Sequence, residues 1–315
     1  MEPSQLRASV IIPTLNRKSF LSNVLGPVLD DPATAEVVVV VDGGKDGTFD
    51  YLKEWSSRET RICPVFQENG GENSSRLRGV RAARFDVVVV LDDDVIASPG
   101  LITAHCHLHP PDSDRLVLGY MPTAIPSPRE PDQVATHLYA QDYEHACRLF
   151  ETDANAIFTH FWAGNFSMRR EIAEATLSQP VTRLIAHGDL QFGLWCREAG
   201  LEPIFDRSLL ATHHYSRSLE KFAAQARRSG EGRIQLKQEF PGLAAELSPV
   251  GSLSLQENIV AHSVGHPFMH RVSAPLTMAL CRLSGRLKLW RLETVSARVL
   301  RLIELVYGFH RPRTS

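Results

Sequence analysis

Cysteine pairing is the first feature that the sequence lacks. The 315-residue chain has five cysteines, an odd number, and no CxxC spacing joins any two of them. They stand apart at Cys63, Cys106, Cys147, Cys196 and Cys281. A chain of this size needs no disulfides to hold its core. The pattern therefore argues against a disulfide scaffold and predicts a reducing, cytoplasmic location.

A strong charge imbalance and a long apolar run are also missing. Lys plus Arg number 34 against 36 for Asp plus Glu, which gives a formal net charge of −2. Nucleic-acid binders usually carry a basic excess, so we expect no nucleic-acid partner. Residues 1–9 lack the apolar core of a secretory signal, and no stretch approaches the roughly 20 apolar residues of a membrane span. Secretion and membrane spanning are therefore not predicted.

Two phosphate-binding motifs are absent as well. No GxGxxG follows the first predicted strand at 9–13, and the chain contains neither GxxxxGKS nor GxxxxGKT. These absences disfavour a nicotinamide or flavin Rossmann site and a P-loop. A bound diphosphate would have to be held by a metal ion and by side chains.

What the sequence does contain is an alternation of strand and helix patterns. Consecutive valines fill 37–41 and 87–90, and such unbroken runs suit parallel strands that helices cover on both faces. Between them lie helical patterns, including one at 16–29 with Asn16 as its N-cap and one opened by the Asn-Ser-Ser cluster at 73–75. The alternation predicts an α/β fold with a mostly parallel sheet, followed by a helical C-terminal extension.

Three polar loops follow predicted strands of this sheet. They are Pro13-Thr-Leu-Asn-Arg17, the loop from Asp42 to Gly47, and Asp92-Asp93-Asp94. Ligands of open parallel sheets bind beyond the carboxyl ends of the strands, so we expect one shared pocket. Three adjacent carboxylates repel one another unless a cation compensates them, and oxygen ligands suit Mg²⁺ or Mn²⁺. A solvated acidic turn is the simpler alternative, but the preceding buried strand favours a metal site.

Six segments in order resemble the signatures of glycosyltransferase family 2, over about residues 9–232. They are Val10 to Arg17, Val41 to Thr48, Ser75-Arg-Leu-Arg-Gly79, Leu91 to Asp94, Ala163 to Glu171, and Gly188-Asp189 followed by Gly200, with His213-His214 after them. The resemblance implies a GT-A fold, a nucleotide-sugar donor, and a catalytic domain at 1–232. In that domain about 1–105 would bind the nucleotide and about 106–232 the acceptor.

The resemblance also assigns roles to single residues. Asp189 would be the general base toward the acceptor, and Asp94 would bind the metal, completed by one of His213 and His214. The remaining nucleotide-sugar contacts would be Pro13, Thr14, Asn16, Arg17, Asp42, Arg76, Asp92 and Asp93, with Gly164 and Asn165 on the acceptor side. Alternation along a strand sends the two histidine rings to opposite faces, so at most one is a ligand.

Two positions depart from the family pattern. Gly188 stands where the family has the Glu of its Glu-Asp motif, and Leu77 stands where it has the Asn of an Arg-Asn pair. The first departure keeps the base but removes a neighbouring carboxylate. The second weakens the assignment of nucleotide contacts. Asp189 has an alternative role as the N-cap of the helix that ends near Gly200.

The C-terminal region at 233–315 is predicted to be helical, and its tail at 282–315 is basic. Apolar residues recur in the tail at helical spacing, so an amphipathic helix is expected. Packing on the catalytic domain or on a second subunit is the preferred interpretation, which leaves a homo-oligomer open. Peripheral contact with an anionic membrane is the alternative.

The resemblance implies an inverting, metal-assisted hexosyltransferase that uses a UDP-sugar and Mn²⁺ or Mg²⁺. UDP follows from Asp42, the family's usual partner of a uracil edge, while dTDP and GDP stay open. Alternatives are an inactive nucleotide-sugar-binding protein, for which Gly188 is the hint, and a sugar nucleotidyltransferase. The sequence identifies neither the sugar nor the acceptor.

Overall fold

The computed structural model describes residues 7–180, 184–243, 263 and 266–310. It divides into two compact units. The sheet unit comprises Met1–Ala124, Tyr143–Arg183 and Gly188–His214, and the helical unit comprises Ile125–Asp142, Leu184–His187 and Tyr215–Ser315. The chain changes unit at 214–215, inside the predicted catalytic domain. The functional boundary predicted at 232 is a separate matter and stays a prediction.

An eight-stranded sheet forms the centre of the sheet unit. Its strands are β1 (Ala8–Thr14), β2 (Thr34–Asp42), β3 (Ile62–Gln67), β4 (Val87–Leu91), β5 (Val95–Ala97), β6 (Arg115–Tyr120), β7 (Asn165–Arg169) and β8 (Glu202–His213). They lie in the order β3-β2-β1-β4-β7-β6-β8-β5. Strands β3, β2, β1 and β4 are parallel neighbours, as are β6 and β8, while β7 and β5 run antiparallel to theirs. The predicted α/β class with a mostly parallel sheet is confirmed.

Valine-rich strands make the core of this sheet. Every residue of β2 and of β4 is buried, as expected for strands that are covered on both faces. Val10 of β1 lies opposite Val37 on one side and opposite Val89 on the other. This register aligns the carboxyl ends of the three strands at one edge of the sheet.

One helix of the sheet unit starts later than predicted because of the backbone conformation at Asn16. The helices of this unit are α1 (Leu21–Asp30), α2 (Thr48–Ser56), α3 (Glu72–Ala82), α4 (Leu101–His107), α6 (Arg170–Leu177) and α7 (Gly188–Glu198), and α5 (Val134–Thr152) has residues in both units. The helix predicted to start at Asn16 starts at Leu21 instead. Asn16 has a φ of 56° and cannot cap a right-handed helix, and its side chain accepts a hydrogen bond from Lys45 N.

The predicted cap of α3 is also wrong. The helix begins at Glu72 after Gly71, whose φ of 91° favours glycine. Asn73 and Ser75 lie inside the helix and are buried, so the Asn-Ser-Ser cluster packs and does not cap.

Three long helices build most of the helical unit. They are α8 (Leu219–Glu239), α9 (Pro267–Arg286) and α10 (Trp290–His310). Helices α8 and α10 approach closely at Gly230 and Gly308, where a Cβ on either residue would collide with backbone of the other helix. Residues 244–262, 264–265 and 311–315 of the predicted helical region lie outside the described residues. Among the described helices, none combines the length and the hydropathy needed to cross a bilayer.

Candidate active site

Two loops meet at the carboxyl edge of the sheet. Thr14 at the end of β1 donates a hydrogen bond of 2.8 Å from Oγ1 to Asp93 Oδ2. Arg17, in the loop that follows, lies 2.7 Å from Asp94 Oδ2 and 3.4 Å from Asp93 Oδ1. Pro13 is paired within β1. The loops after β1 and β4, predicted to share a pocket, are therefore in direct contact.

Asp94 is joined to the end of β8. Its Oδ1 lies 3.1 Å from Nε2 of His213, and its carbonyl accepts a hydrogen bond of 2.8 Å from His214 N. The ring of His214 packs instead on Phe20, with centroids 5.5 Å apart. The alternation predicted for these two residues is thus observed. His213 is the one placed to bind a metal beside Asp94, and His214 is not.

The Asp94–His213 pair fits part of a metal site. In the described parts of the chain, no group of three or more His, Cys, Asp or Glu side chains is arranged around a metal-sized space. A carboxylate oxygen and an imidazole nitrogen 3.1 Å apart are nevertheless suitable donors for Mn²⁺. Divalent ions in such sites take further ligands from substrate phosphates. Arg17 supplies the positive charge beside Asp94 in this structure.

Asp189 lies in the first turn of α7 and is held by a buried cation. Arg76 NH2 is 2.7 Å from Asp189 Oδ1, and Arg76 is only 3% exposed whereas the Asp189 side chain is 36% exposed. The other carboxylate oxygen accepts a 3.3 Å hydrogen bond from Ala163 N. These contacts join Asp189 to α3 and to the segment before β7. They orient its carboxylate, and its predicted role as general base stays a prediction.

Asp92 lies near the same cation. Burial raises its pKa well above the ordinary value, and the charge of Arg76 opposes that rise. Its backbone N donates 3.2 Å to the carbonyl of Gly164. A Cβ at Gly164 would lie only 2.9 Å from Asp92 Oδ2. Glycine at this position therefore leaves room for the Asp92 carboxylate.

Glu72 is a site residue that the sequence analysis missed. A Cβ placed on Gly188 would lie 2.7 Å from Glu72 Oε2, so the carboxylate of Glu72 occupies the space beside Gly188. The charge of Asp189, together with desolvation, raises the pKa of Glu72, while Arg76 lowers it. A carboxylate thus stands next to Asp189 although the Glu-Asp motif lacks its glutamate. The available signal was Glu72 four residues before Arg76 on one helix.

Asp42 and Asn165 are bound to the protein itself. Asp42 Oδ1 accepts from Gln67 Nε2 at 2.7 Å and from Gly70 N at 2.8 Å, and Oδ2 accepts from Gly71 N. Asn165 is fully buried and donates 3.0 Å to the carbonyl of Leu209. Asp42 therefore shapes the loop before α3, and Asn165 ties strands together. Their predicted contacts with uracil and acceptor stay predictions.

The sheet is mixed, and acidic side chains at its carboxyl edge lie beside a histidine and an aspartate that is held by an arginine. This is the architecture of a GT-A nucleotide-sugar enzyme. Residues 5–232 match the model of the family described as glycosyltransferase like family 2. The chain belongs to this family.

Curated relatives match over a limited segment. An uncharacterized glycosyltransferase, YfnE, of Bacillus subtilis is 31% identical over 36% of this chain and 30% of its own length. Validoxylamine A glucosyltransferase of Streptomyces hygroscopicus is 37% identical over 35% of this chain and 26% of its own length. The matched segment thus spans less than a third of either relative.

Solved structures match over more of the chain. The mannosyltransferase PcManGT of Pyrobaculum calidifontis, solved with GDP-Man and Mn²⁺, has a TM-score of 0.61 and 17% identity over 96% of this chain and 86% of that one. GalNAc-T7, solved with UDP, GalNAc and Mn²⁺, has a TM-score of 0.53 and 16% identity over 79% of this chain and 52% of that one. At such identities the likeness establishes the fold, and the predicted GT-A class is confirmed.

Proposed function

We propose that this protein is an inverting hexosyltransferase that transfers a sugar from a nucleotide-diphosphate donor to an acceptor hydroxyl. The preferred donor is a UDP-sugar. One observation carries the proposal: the Asp189 carboxylate is accessible, yet it is fixed by a buried Arg76 at 2.7 Å. A positioned carboxylate that solvent reaches is what a general base toward an incoming acceptor requires.

The reaction forms one bond and breaks one bond at the anomeric carbon, and it moves one proton. Asp189 takes the proton of the acceptor hydroxyl while the hydroxyl oxygen attacks the anomeric carbon. The bond from that carbon to the diphosphate oxygen breaks, and its electrons leave with the nucleotide diphosphate. Attack opposite the leaving group inverts the anomeric centre.

The donor would lie against the loops after β1, β2 and β4. Thr14 and Asp93 bond to each other. Arg17 is paired with Asp93 and Asp94, but its side chain is 43% exposed, so a donor phosphate would be able to reach its guanidinium. Asp94 and His213 would hold Mn²⁺ or Mg²⁺, which would stabilise charge on the departing diphosphate. The Mn²⁺ in the two solved structures supports this assignment. Asp42 is the basis for preferring UDP.

The test is Asp189→Asn in the full chain, assayed with UDP-sugars and Mn²⁺. Asn cannot accept the proton, so turnover should fall by roughly 10²-fold or more. Arg76 keeps the charges of Glu72 and Asp92 nearby, so the fold and the affinity for UDP should be retained. Nucleotide affinity, melting temperature and turnover are measured on the same preparation.

The matched control is Asp50→Asn, because Asp50 is an exposed acid in the first turn of α2. Both variants lose an acid at a helix start, but only Asp189 lies beside Arg76. Equal turnover in the two variants would refute the proposed base. UDP binding without hydrolysis or transfer in the wild type would support the inactive binding protein, and pyrophosphate-dependent release of sugar phosphate would support a nucleotidyltransferase.

A further inference from the structure

Helices α9 and α10, with the turn between them, carry many exposed apolar side chains. On α9 these side chains recur every three or four residues, so they lie along one face. Leu276 is 65% exposed and Leu287, just after α9, is 60% exposed. We define the apolar face as Phe268, Met269, Val272, Leu276, Leu280, Leu283, Leu287, Leu289, Leu292, Val295 and Val299. A set of this size marks an interaction surface.

The opposite face of each helix is already used. Ala274 and Cys281 of α9 and Ala297, Leu300 and Ile303 of α10 are buried in one cluster with residues of α8. The exposed apolar residues are therefore additional to the packing of the helical unit. They are not the ordinary inward stripe of an amphipathic helix.

The exposed charged side chains of α9 and α10 all have the same sign. Its two acids are buried and paired inside the helical unit: Glu293 lies 2.6 Å from Arg129, and Glu304 lies 2.8 Å from Arg227. The exposed charged side chains of residues 267–310 are all basic. They are Arg271, Arg282, Arg286, Lys288, Arg291 and Arg298.

We infer that the apolar face binds the surface of an anionic lipid bilayer. Apolar side chains flanked by cations are the combination that inserts a helix at a bilayer interface and attracts acidic headgroups. A second copy of the chain fits less well. Pairing this face with itself would bring two sets of basic residues together without exposed acids from either helix pair.

The first experiment measures binding of the full chain to vesicles. We expect sedimentation with vesicles of phosphatidylcholine containing 30% phosphatidylglycerol, and at least tenfold weaker binding to phosphatidylcholine alone. The double variant L276E/L283E, changed at two positions more than half exposed, should lose binding by at least tenfold and keep its melting temperature. The matched control is Ile125→Glu, 48% exposed in the helical unit but outside these helices, which should bind like the wild type.

A second variant tests the charges. Replacing Arg286, Lys288 and Arg291 with Ala should weaken binding to the acidic vesicles by at least tenfold, because basic residues near such a surface attract its acidic headgroups. Arg148→Ala, also exposed, is the control for loss of a surface cation.

Three results would overturn the inference. They are failure of the wild type to bind acidic vesicles, equal binding by L276E/L283E, and a change from dimer to monomer in L276E/L283E without any change in vesicle binding. The last result would identify the face as a contact between copies of the chain. None of these outcomes depends on transfer activity, so they are independent of the proposed function.

Discussion

Arg76 is one buried cation that faces three carboxylates. It pairs with Asp189 at 2.7 Å, and its positive charge is also stabilised by Glu72 and Asp92. Burying a cation without a counter-charge would destabilise the fold. Three carboxylates around one cation leave an excess of negative charge, which disfavours the ionised form of at least one of them. The charge of Asp189, together with desolvation, raises the pKa of Glu72, and burial is the main cause of the raised pKa of Asp92, to which Asp189 adds.

Glu72→Gln should therefore stabilise the fold in a pH-dependent way. The pKa of Glu72 is raised in the folded state, so between its ordinary value of 4.5 and the raised value the folded protein binds more protons than the unfolded chain. In that window unfolding becomes easier as pH rises. Gln removes this loss. The melting temperature of the variant should exceed that of the wild type at pH 8, and the difference should vanish near pH 4.

The comparison needs an acid outside the cluster. Glu68 is exposed and four residues away, so Glu68→Gln provides the baseline for replacing a surface carboxylate. A constant offset at both pH values for Glu72→Gln, equal to that of Glu68→Gln, would mean that Asp189 does not act on Glu72.

The contrast between Asp94 and Glu72 shows what sequence can predict at the residue scale. Asp94 follows a buried strand, and strand ends converge by a general rule, so its neighbourhood was predictable. Glu72 reaches the site because α3 and α7 bring it beside Gly188, a position with no side chain to oppose it. No local pattern encodes that contact. The hydrogen bonds that Asp42 accepts from Gly70 and Gly71 were unpredictable from the sequence for the same reason.

At the scale of elements, a glycine pair sets the approach of α8 and α10. A Cβ on Gly308 would meet the carbonyl of Arg227, and a Cβ on Gly230 would meet the carbonyl of Leu305. Both obstacles are backbone, so no side chain can turn aside to make room. The helices can therefore come this close only because both positions lack a side chain.

Gly308→Ala should destabilise the helical unit. Forcing a methyl group against backbone shifts the two helices apart, and overpacking of this kind costs about 1–3 kcal/mol. The measurement is the free energy of unfolding in urea. The control is Gly26→Ala in the interior of α1, where a Cβ would have no neighbour within 4 Å. That variant should change stability little, because the helix preference of Ala is opposed by Pro27, which disfavours the helical conformation in a preceding residue with a Cβ. A gain in Gly308→Ala would show that α8 and α10 are not held this close.

Strands were easier to predict than helix starts. Five consecutive valines are unambiguous for a buried strand, and β2 is buried along its whole length. The starts of α1 and α3 depend on Asn16 and Gly71, both with positive φ. Asn is a good helix cap and also tolerates the left-handed conformation, so sequence alone does not decide between these roles.

At the scale of the whole molecule, stability depends on polar groups inside the sheet unit. The Ser167 hydroxyl is 2.7 Å from His105 Nδ1 and 2.7 Å from His109 Nε2. His105 Nε2 lies 3.0 Å from Asn165 Oδ1. All four side chains are buried, so the network links α4 and the loop after it to β7 without access to water. Neither histidine stood out in the sequence, because their partners lie about 60 residues away along the chain.

This network predicts acid sensitivity that begins near pH 6.5, above the ordinary pKa of a carboxyl group. Burial lowers the pKa of His105 and of His109 to about 4, from 6.5. The unfolded chain then binds more protons than the folded protein as the pH falls from 6.5 to 4. Stability is therefore fully present above pH 6.5 and declines below it, by up to a few kcal/mol.

His109→Gln keeps a side-chain amide able to bond Ser167 but cannot titrate, so its urea midpoint should fall less between pH 7 and pH 5 than that of the wild type. His107→Gln, at an exposed position of α4, should follow the wild type and controls for loss of a histidine. Parallel declines in all three proteins would show that His109 does not cause the acid sensitivity, because of the two substituted histidines only His109 bonds to this buried network.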